Sequence, residues 1–519
     1  MRNKLLKHWH EVILFALLTF LIVLIGAINL SGIAEFYDTD MYSDLMYSMK
    51  FWEHRSIFPD GWVFGNQFYV IATPVLAGLI YGAGFDPIIA MGLASTVMTI
   101  LVVASFYWMI SPFFPFLKER LFACIIFVLL PLVGGGYVCD ANGWQLLFTM
   151  CSYYACYAVT AFLAFGLYIR YWNTEEKINW LCFFIVCLLS FFTGIQSLRQ
   201  TVIMTLPLIA VEACCFIFRR IKKQNVFTSS LIIAIGISCF NLAGVLFSRF
   251  LNINAVQIFG EVGLVTSLLP SIKEAIMNFV LLFSIKPVII AVGMVSLIGG
   301  CTLALLIMKR RNAVGAILGV LLLFAVGTIG AIDVFTTMQV RQIYYFMCYP
   351  LVAFLSGCIL DISAFLNRNM MRTLAQTALI FILIITCVLQ CDGIINHIQD
   401  TDNRQYEDVS EYLCEDGYTT IYSRWNLCEK IAIASGLNIQ AGFWDYKTEP
   451  FVEVRYLCDP SVFEAEPTEC AYVFKGNTEV EIAKDVLNTH GYSMNLLKYF
   501  PESDIYLFTS DVNLILMID

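Results

Sequence analysis

Glu35-Phe-Tyr-Asp38-Thr-Asp40-Met-Tyr-Ser-Asp44 closely follows the first long apolar segment of the chain and places its carboxylates beside a predicted membrane boundary. Acids this close to an apolar phase repel one another and lose hydration, so they need a cation, a shared proton or hydrogen-bond donors. A reaction centre would supply such partners. The alternative is an ordinary outer loop, in which acids are tolerated and aromatic residues lie at the interface.

A helix beginning at Asp40 would sort these residues by face, because positions three or four apart share one side of a helix. The carboxylates would then lie opposite an apolar stripe, with Asp40, Asp44, Tyr47 and Phe51 on one face and Met41, Leu45, Met49 and Trp52 on another. We therefore predict a helix on the membrane surface whose acids turn toward a cleft.

Composition places most of the chain in lipid. Of the 519 residues, 59% are hydrophobic and only 14% are charged, which is typical of an α-helical polytopic membrane protein. The apolar segment 12–30 is long enough to cross a bilayer and follows Arg2, Lys4 and Lys7. We therefore expect a cytoplasmic N-terminus and an outer acidic loop.

The hydropathy pattern predicts about eleven transmembrane helices. This number puts each basic cluster, such as 219–223 and 309–311, on the inner side, as the positive-inside rule requires. The apolar segment 69–82 is broken by Pro74, Gly78 and Gly82, so we predict a re-entrant or surface helix there. Segment 258–285 is interrupted by Pro270, and we predict a long outer loop with surface helices. The predicted spans are 12–30, 88–110, 120–137, 144–170, 178–195, 200–218, 226–249, 286–308, 313–331, 342–362 and 372–391.

The same pattern divides the chain into two domains. Residues 1–398 are expected to form the transmembrane domain, with the acidic site in outer loop 31–87, and residues 399–519 a small soluble α/β domain. Eleven crossings place that domain on the extracytoplasmic side. We predict strands at 418–423, 470–475 and 505–509, and helices at 426–435 and 479–489.

The outer loops contain few other charged groups, among them Asp140, Arg199 and Arg341. An arginine can bind a phosphate through two parallel hydrogen bonds, and a carboxylate near a hydroxyl can act as a general base. Together these groups suit attack of a hydroxyl on a sugar attached to a lipid phosphate. Each also has a structural explanation: the arginines as snorkelling anchors of helix ends, and Asp140, near Gly143, as a turn residue.

These features resemble the GT-C superfamily of membrane glycosyltransferases, which use polyprenyl-phosphate sugars. The shared features are an uncleaved first span, Asp38-Thr-Asp40 leading into an amphipathic helix, many spans and an external α/β domain. The sequence is most similar to the bacterial branch related to protein mannosyltransferases and aminoarabinose lipid A transferases. Gly84-Phe-Asp86-Pro87 and Arg341-Gln-Ile-Tyr344-Tyr345 also resemble that branch.

The resemblance implies a catalytic Asp in the first outer loop, either Asp38 or Asp40. Substrate binding would fall to Asp44, Arg199, Arg341 and Tyr344. Some members of the superfamily hold a divalent cation, Mg²⁺ or Mn²⁺, with a second acid, a place that Asp140 would fill here together with Asp38 or Asp40; other members need no metal. The chain lacks the Asp-Glu pair of protein mannosyltransferases and the peptide-acceptor signature of oligosaccharyltransferases, which leaves the acceptor open.

We therefore expect a glycosyltransferase of the bacterial plasma membrane that moves a sugar, with inversion, from a polyprenyl phosphate to an outer-face acceptor. The acceptor would be a cell-envelope glycan, lipid or protein; the surrounding partner is membrane lipid, and no nucleic acid is expected. Two alternatives stay open: a transporter or flippase of lipid-linked sugars, whose polar residues would lie within the spans, and a cell-surface polysaccharide polymerase or ligase.

Overall fold

The computed structural model describes residues 2–31, 39–65, 67–133, 147–149, 154–172, 177–251, 253–255, 263–265, 267–283, 286–338, 340–361, 369–400, 404–424, 427–444 and 450–517. The part up to residue 400 is helical. Its helices, in chain order, are α1 (Arg2–Ser31), α2 (Thr39–His54), α3 (Thr73–Tyr81), α4 (Pro87–Ile110), α5 (Leu117–Val133), α6 (Ala155–Tyr171), α7 (Trp180–Gln196), a π-helical turn (Thr201–Thr205), α8 (Leu206–Ile221), α9 (Ser229–Ser248), α10 (Leu268–Leu281), α11 (Lys286–Arg310), α12 (Val314–Phe335), a 3₁₀ turn (Gln342–Met347), α13 (Cys348–Leu360) and α14 (Asn369–Asp400).

Every predicted span overlaps one of these helical segments. Within the described residues, eight segments are long and apolar enough to cross a bilayer, and α6 and α7 are shorter apolar helices. The chain is therefore a multi-pass membrane protein. The number of eleven crossings stays a prediction.

Contacts between distant loops restrict that number. The backbone N–H of Val63, in the first loop, donates to the carbonyl of Cys458 in the C-terminal domain at 2.9 Å, and Lys50 forms an ion pair with Asp459 at 2.8 Å. A loop that follows the first span and a domain that follows the last span thus lie on the same side of the membrane. The total number of crossings must then be odd, which eleven satisfies.

A second set of contacts joins the opposite ends of the helices. Lys118, at the start of α5, donates to Gln376 in α14 at 2.8 Å, and His10 in α1 lies 3.1 Å from the hydroxyl of Thr377. The starts of α1, α5 and α14 therefore lie on the same side of the membrane, as expected when successive spans cross it in alternating directions. The predicted orientation makes this the cytoplasmic face.

Inserted protease sites can test the orientation, since the 18 cysteines of the chain complicate cysteine labelling. In spheroplasts, an external protease is expected to cut at sites inserted after Asp60 and after Glu502, and to cut after Lys222 only when the membrane is permeabilised. If both outer sites were protected from the protease, the acidic loop would have to be assigned to the cytoplasm. Cleavage at only one of them would contradict the contacts between the loop and the C-terminal domain.

The broken segment 69–82 forms α3, whose nine residues are too few to span a bilayer. Pro74 lies in its first turn, and Gly78 and Gly82 lie against α2. A Cβ on Gly78 would approach the carbonyl oxygen of Ser48 to 2.6 Å, and one on Gly82 would lie 2.1 Å from the Trp52 ring. The glycines that interrupt the hydropathy pattern are thus the positions that let two helices pack closely.

The C-terminal part is a small α/β unit, as predicted. Its sheet has the order β2-β1-β3-β5-β4, in which β1 is parallel to β2 and β3, and β5 is antiparallel to β3 and β4. Strands β2 and β4 were not predicted. The elements are α15 (Arg404–Glu415), β1 (Thr420–Arg424), α16 (Cys428–Ala434), β2 (Gln440–Trp444), β3 (Cys470–Lys475), α17 (Asn477–His490), β4 (Asn495–Phe500), β5 (Ile505–Thr509) and α18 (Leu514–Met517).

The α/β unit covers α2. We predicted a helix on the membrane surface whose acids turn toward a cleft; in the structure α2 packs against α3, α4 and α16, and its residues 41–45, Asp44 among them, are all buried. The Tyr42 hydroxyl accepts a hydrogen bond from the backbone N–H of Ala441 at 2.8 Å. Partial burial raises the pKa of Asp459, but hydrogen bonds from Lys50 and Ser461 outweigh it and hold this pKa below its usual value. The ion pair to α2 therefore persists at neutral pH.

Candidate functional site

In the sequence, Asp38 directly precedes α2, and Asp40 and Asp44 belong to this helix. Asp38 lies outside the described residues, and Asp40 is the second residue of α2, with its side chain outside the described set. Asp44 is fully buried, and its Oδ1 accepts a 2.5 Å hydrogen bond from the Tyr69 hydroxyl. Asp44, predicted to bind substrate at a cleft, thus holds segment 67–71 against α2.

Segment 67–71 is also fixed to the end of α7. The backbone N–H groups of Val70 and Ile71 donate to Oε1 of Gln196 at 3.1 and 3.0 Å, while the N–H of Phe68 donates to the Gln196 carbonyl at 3.0 Å. The amide of Gln196 in turn donates to the Tyr157 hydroxyl at 3.2 Å. One buried glutamine therefore docks the loop that leaves α2 onto the helix that leads to Arg199.

Arg199 lies at this junction between aromatic side chains. Its Nη1 donates to Oε1 of Gln67 at 2.9 Å, and its guanidinium carbon lies 4.8 Å from the ring centre of Tyr154 and 5.2 Å from that of Tyr344. We call these four residues the arginine cage. The cation–π contacts and the hydrogen bond hold the planar guanidinium in one orientation. A guanidinium held in this way can bind a phosphate or a carboxylate.

Tyr344 reaches the cage from a 3₁₀ turn that begins after Arg341. The N–H of Tyr344 donates to the carbonyl of Arg341 at 3.0 Å, and the Arg341 side chain is exposed. The next residue, Tyr345, donates to Asp333 at 2.9 Å, which anchors the turn to α12. Of the residues predicted to bind substrate, the structure thus brings Arg199 and Tyr344 together and leaves Arg341 in solvent.

The predicted metal site falls outside what the structure describes. Asp140 and Asp38 are not among the described residues, and neither is the Asp40 side chain. Over the described part of the chain, no group of three His, Cys, Asp or Glu residues could hold a cation.

The motif Gly84-Phe-Asp86-Pro87, which carried part of the family resemblance, has a local structural role. Asp86 caps α4 by accepting hydrogen bonds from the N–H groups of Ile88 and Ile89 at 2.9 and 3.3 Å. Pro87 is the first residue of the helix, where its missing N–H costs nothing. This stretch therefore starts a helix and contributes no side chain to the arginine cage.

A second buried polar cluster lies inside the bundle. Glu212, in the middle of the span that contains α8, accepts 2.6 and 2.5 Å hydrogen bonds from Arg219 and from the Tyr168 hydroxyl. Arg219 also donates to Ser230 at 3.1 Å. Each carboxylate oxygen has a donor, so the cluster resembles a satisfied structural network that joins α6, α8 and α9.

Sequence reasoning missed Gln67, Tyr69 and Gln196. Gln67 and Gln196 lie outside the acidic stretch 35–44, and Tyr69 entered only as the first residue of the apolar segment 69–82. A signal was present, because a glutamine at the end of an apolar helix needs partners for both halves of its amide.

No protein-family model and no curated protein matches the sequence. The fold is similar to that of ArnT from Cupriavidus metallidurans in the apo state, with 11% identity, a TM-score of 0.51, and coverage of 96% of this chain and 98% of the other. The same coverage is found for ArnT from that organism bound to undecaprenyl phosphate, at 10% identity and a TM-score of 0.50. This similarity shows the fold, which is GT-C-like, as predicted.

Proposed function

We propose that this GT-C-like membrane protein is a glycosyltransferase that moves a sugar from a polyprenyl phosphate to an acceptor on the outer face of a bacterial plasma membrane. The observation that supports this proposal most is the arginine cage, which segment 67–71 joins directly to Asp44 of α2. The structure of ArnT bound to undecaprenyl phosphate, which shares the fold, supports a polyprenyl phosphate as the lipid.

In the proposed reaction, an acceptor hydroxyl attacks the anomeric carbon of the sugar. The new bond to the acceptor oxygen forms as the bond from the anomeric carbon to the phosphate oxygen breaks, and the electron pair leaves with the phosphate. Arg199 would stabilise the charge that develops there, and Asp38 or Asp40 would take the proton of the acceptor hydroxyl. Attack opposite the leaving phosphate inverts the anomeric centre.

The surrounding residues set the leaving-group site. A phosphate beside Arg199 would meet the N–H edge of a guanidinium already held by Tyr154, Tyr344 and Gln67, so little reorganisation is needed as charge develops. Arg341, exposed at the start of the 3₁₀ turn, is placed to attract the lipid phosphate before it reaches the cage. Asp140, with Asp38 or Asp40, would hold Mg²⁺ or Mn²⁺ if the reaction uses one.

The flippase alternative predicts polar groups that face a substrate path within the spans. The polar cluster at Glu212 and Arg219 is buried and internally paired, as expected for a structural network between helices. The polymerase or ligase alternative shares the same donor chemistry and differs in the acceptor. We therefore favour transfer of a single sugar and leave the acceptor as a cell-envelope glycan, lipid or protein.

The test is release of the carrier lipid. Purified protein in nanodiscs is expected to convert an undecaprenyl-phosphate sugar to undecaprenyl phosphate in the presence of an envelope extract, with the labelled sugar recovered on an acceptor. Mass spectrometry of the lipid fraction measures the conversion. Movement of the intact donor between leaflets without release of undecaprenyl phosphate would instead establish the flippase.

A further inference from the structure

The helix that follows Arg199 begins with an unusual turn. Thr201–Thr205 is π-helical, and the N–H of Leu206 donates to the carbonyl of Thr201, five residues earlier. Isolated π turns inside α-helices are rare and concentrate at functional sites. Because Arg199 lies only two residues before this turn, a change in the turn would move the guanidinium within its cage.

A single buried side chain on another helix holds the turn. The hydroxyls of Thr201 and Thr205 both donate to Oδ1 of Asn241 in α9, at 2.8 and 2.9 Å. The Nδ2 of Asn241 donates to the carbonyl of Ser190 in α7 at 3.0 Å, which also fixes which end of the amide is the oxygen. Asn241 is fully buried, so these bonds are protected from competition by water.

The position of Asn241 is itself fixed by helix packing. A Cβ on Gly194 of α7 would lie 2.2 Å from the Asn241 carbonyl oxygen, so the backbones of α7 and α9 are in contact at this residue. From the other side, the Thr328 hydroxyl of α12 donates to the carbonyl of Val202 within the π turn at 2.9 Å. The turn is therefore held between α9 and α12, and α9 is in turn fixed against α7.

A buried asparagine in a membrane bundle commonly serves only to join helices through hydrogen bonds. Asn241 does so through Ser190, but its oxygen serves the turn beside Arg199. We propose that Asn241 is a positioning residue: through Thr201 and Thr205 it stabilises the π turn that sets Arg199 for phosphate binding. This inference rests on the proposed function, because it assigns a phosphate ligand to Arg199.

The experiment removes the two hydroxyls and leaves Asn241 in place. The double variant Thr201→Val with Thr205→Val keeps side-chain shape, and the matched control, Thr201→Ser with Thr205→Ser, keeps both hydroxyls. The measured quantity is the Kd for undecaprenyl phosphate in nanodiscs, with Arg199 intact and in the Arg199→Lys background. With Arg199 intact, the valine pair is expected to raise Kd about tenfold and the serine pair less than about threefold, as for loss of buried hydrogen bonds.

The two backgrounds separate positioning from general packing. If the threonines act through Arg199, the valine pair should change Kd less than about twofold once Arg199 is lysine, since effects that share one route are not additive. An equal factor in both backgrounds, or an unchanged Kd with Arg199 intact, would overturn the inference. Should the double variant not fold, Thr201→Val alone gives the same comparison with one bond removed.

A different result would identify failure of the proposed function itself. If the unmodified protein does not bind undecaprenyl phosphate, the phosphate role of Arg199 falls, and with it the assigned purpose of Asn241. Amide hydrogen exchange over residues 198–206 then tests the remaining claim, which is that the two threonine hydroxyls stabilise the π turn through Asn241. Faster exchange in the valine pair than in the serine pair supports bracing of the turn, and equal exchange refutes it.

Discussion

The substitution Asp38→Asn or the substitution Asp40→Asn is expected to abolish sugar transfer while leaving expression and binding of the lipid donor nearly unchanged. A general base must accept a proton in the transition state, which contributes about a hundredfold to ten-thousandfold in rate. Asparagine keeps the size of aspartate but cannot take the proton. The measurement is kcat for release of undecaprenyl phosphate, with Asp38→Asn and Asp40→Asn compared in the same nanodiscs.

Two further aspartates of the same loop serve as comparisons. Asp60 is exposed at the tip of the loop, so Asp60→Asn should leave kcat within about twofold, as expected for a surface substitution. Asp44→Asn removes the negative charge of the group that accepts the Tyr69 hydrogen bond, which weakens this bond, and should lower thermal stability more than it lowers kcat per folded molecule. If neither Asp38→Asn nor Asp40→Asn slows transfer, the acidic loop is an ordinary surface and the assigned base is wrong.

The same assay addresses a divalent cation. If Asp140 holds a metal ion with Asp38 or Asp40, a chelator should reproduce the loss caused by Asp140→Asn, and added Mg²⁺ or Mn²⁺ should restore the activity of the chelated protein. Full activity in the chelator would leave the aspartate as a base that acts without a metal.

The membrane architecture could be predicted from the sequence because its cause is composition. Long apolar segments and basic loops fix where helices lie and which ends share a side, and each predicted span overlaps a helix. The sheet was predicted less completely. Strands β3 and β5 are largely apolar runs, whereas β4 is an edge strand whose side chains, such as Leu496, are largely exposed, so its pattern lacks the usual alternation.

The candidate site was less predictable, since it depends on contacts between residues far apart in the chain. The bond from Arg199 to Gln67 spans 132 residues and that from Gln196 to Val70 spans 126, and neither follows from local periodicity. Burial of α2 was missed for the same reason, because its cover comes from the C-terminal domain. Charge near a boundary drew attention to the acidic loop, whereas the contacts of that loop with the rest of the chain required the fold.

Arg199→Lys is the second substitution for which we expect a large loss, about tenfold to a hundredfold in kcat/KM, the range for losing a charge-assisted hydrogen bond at a bidentate site. Lysine keeps the charge but loses the planar fork that contacts Tyr154 and Tyr344 and donates to Gln67. Steady-state kinetics with the undecaprenyl-phosphate sugar measures the loss. The effect should appear in kcat as well as KM, because the phosphate gains charge in the transition state.

Two exposed arginines make this test specific. Arg249→Lys changes an exposed arginine at the end of α9 and should leave kcat/KM within about twofold, whereas Arg341→Lys, next to the cage but in solvent, should raise KM more than it lowers kcat. A snorkelling arginine needs only a long stem and a charge, both of which lysine supplies. If Arg199→Lys therefore turns over as well as Arg249→Lys, Arg199 anchors a helix end and the arginine cage is not the phosphate site.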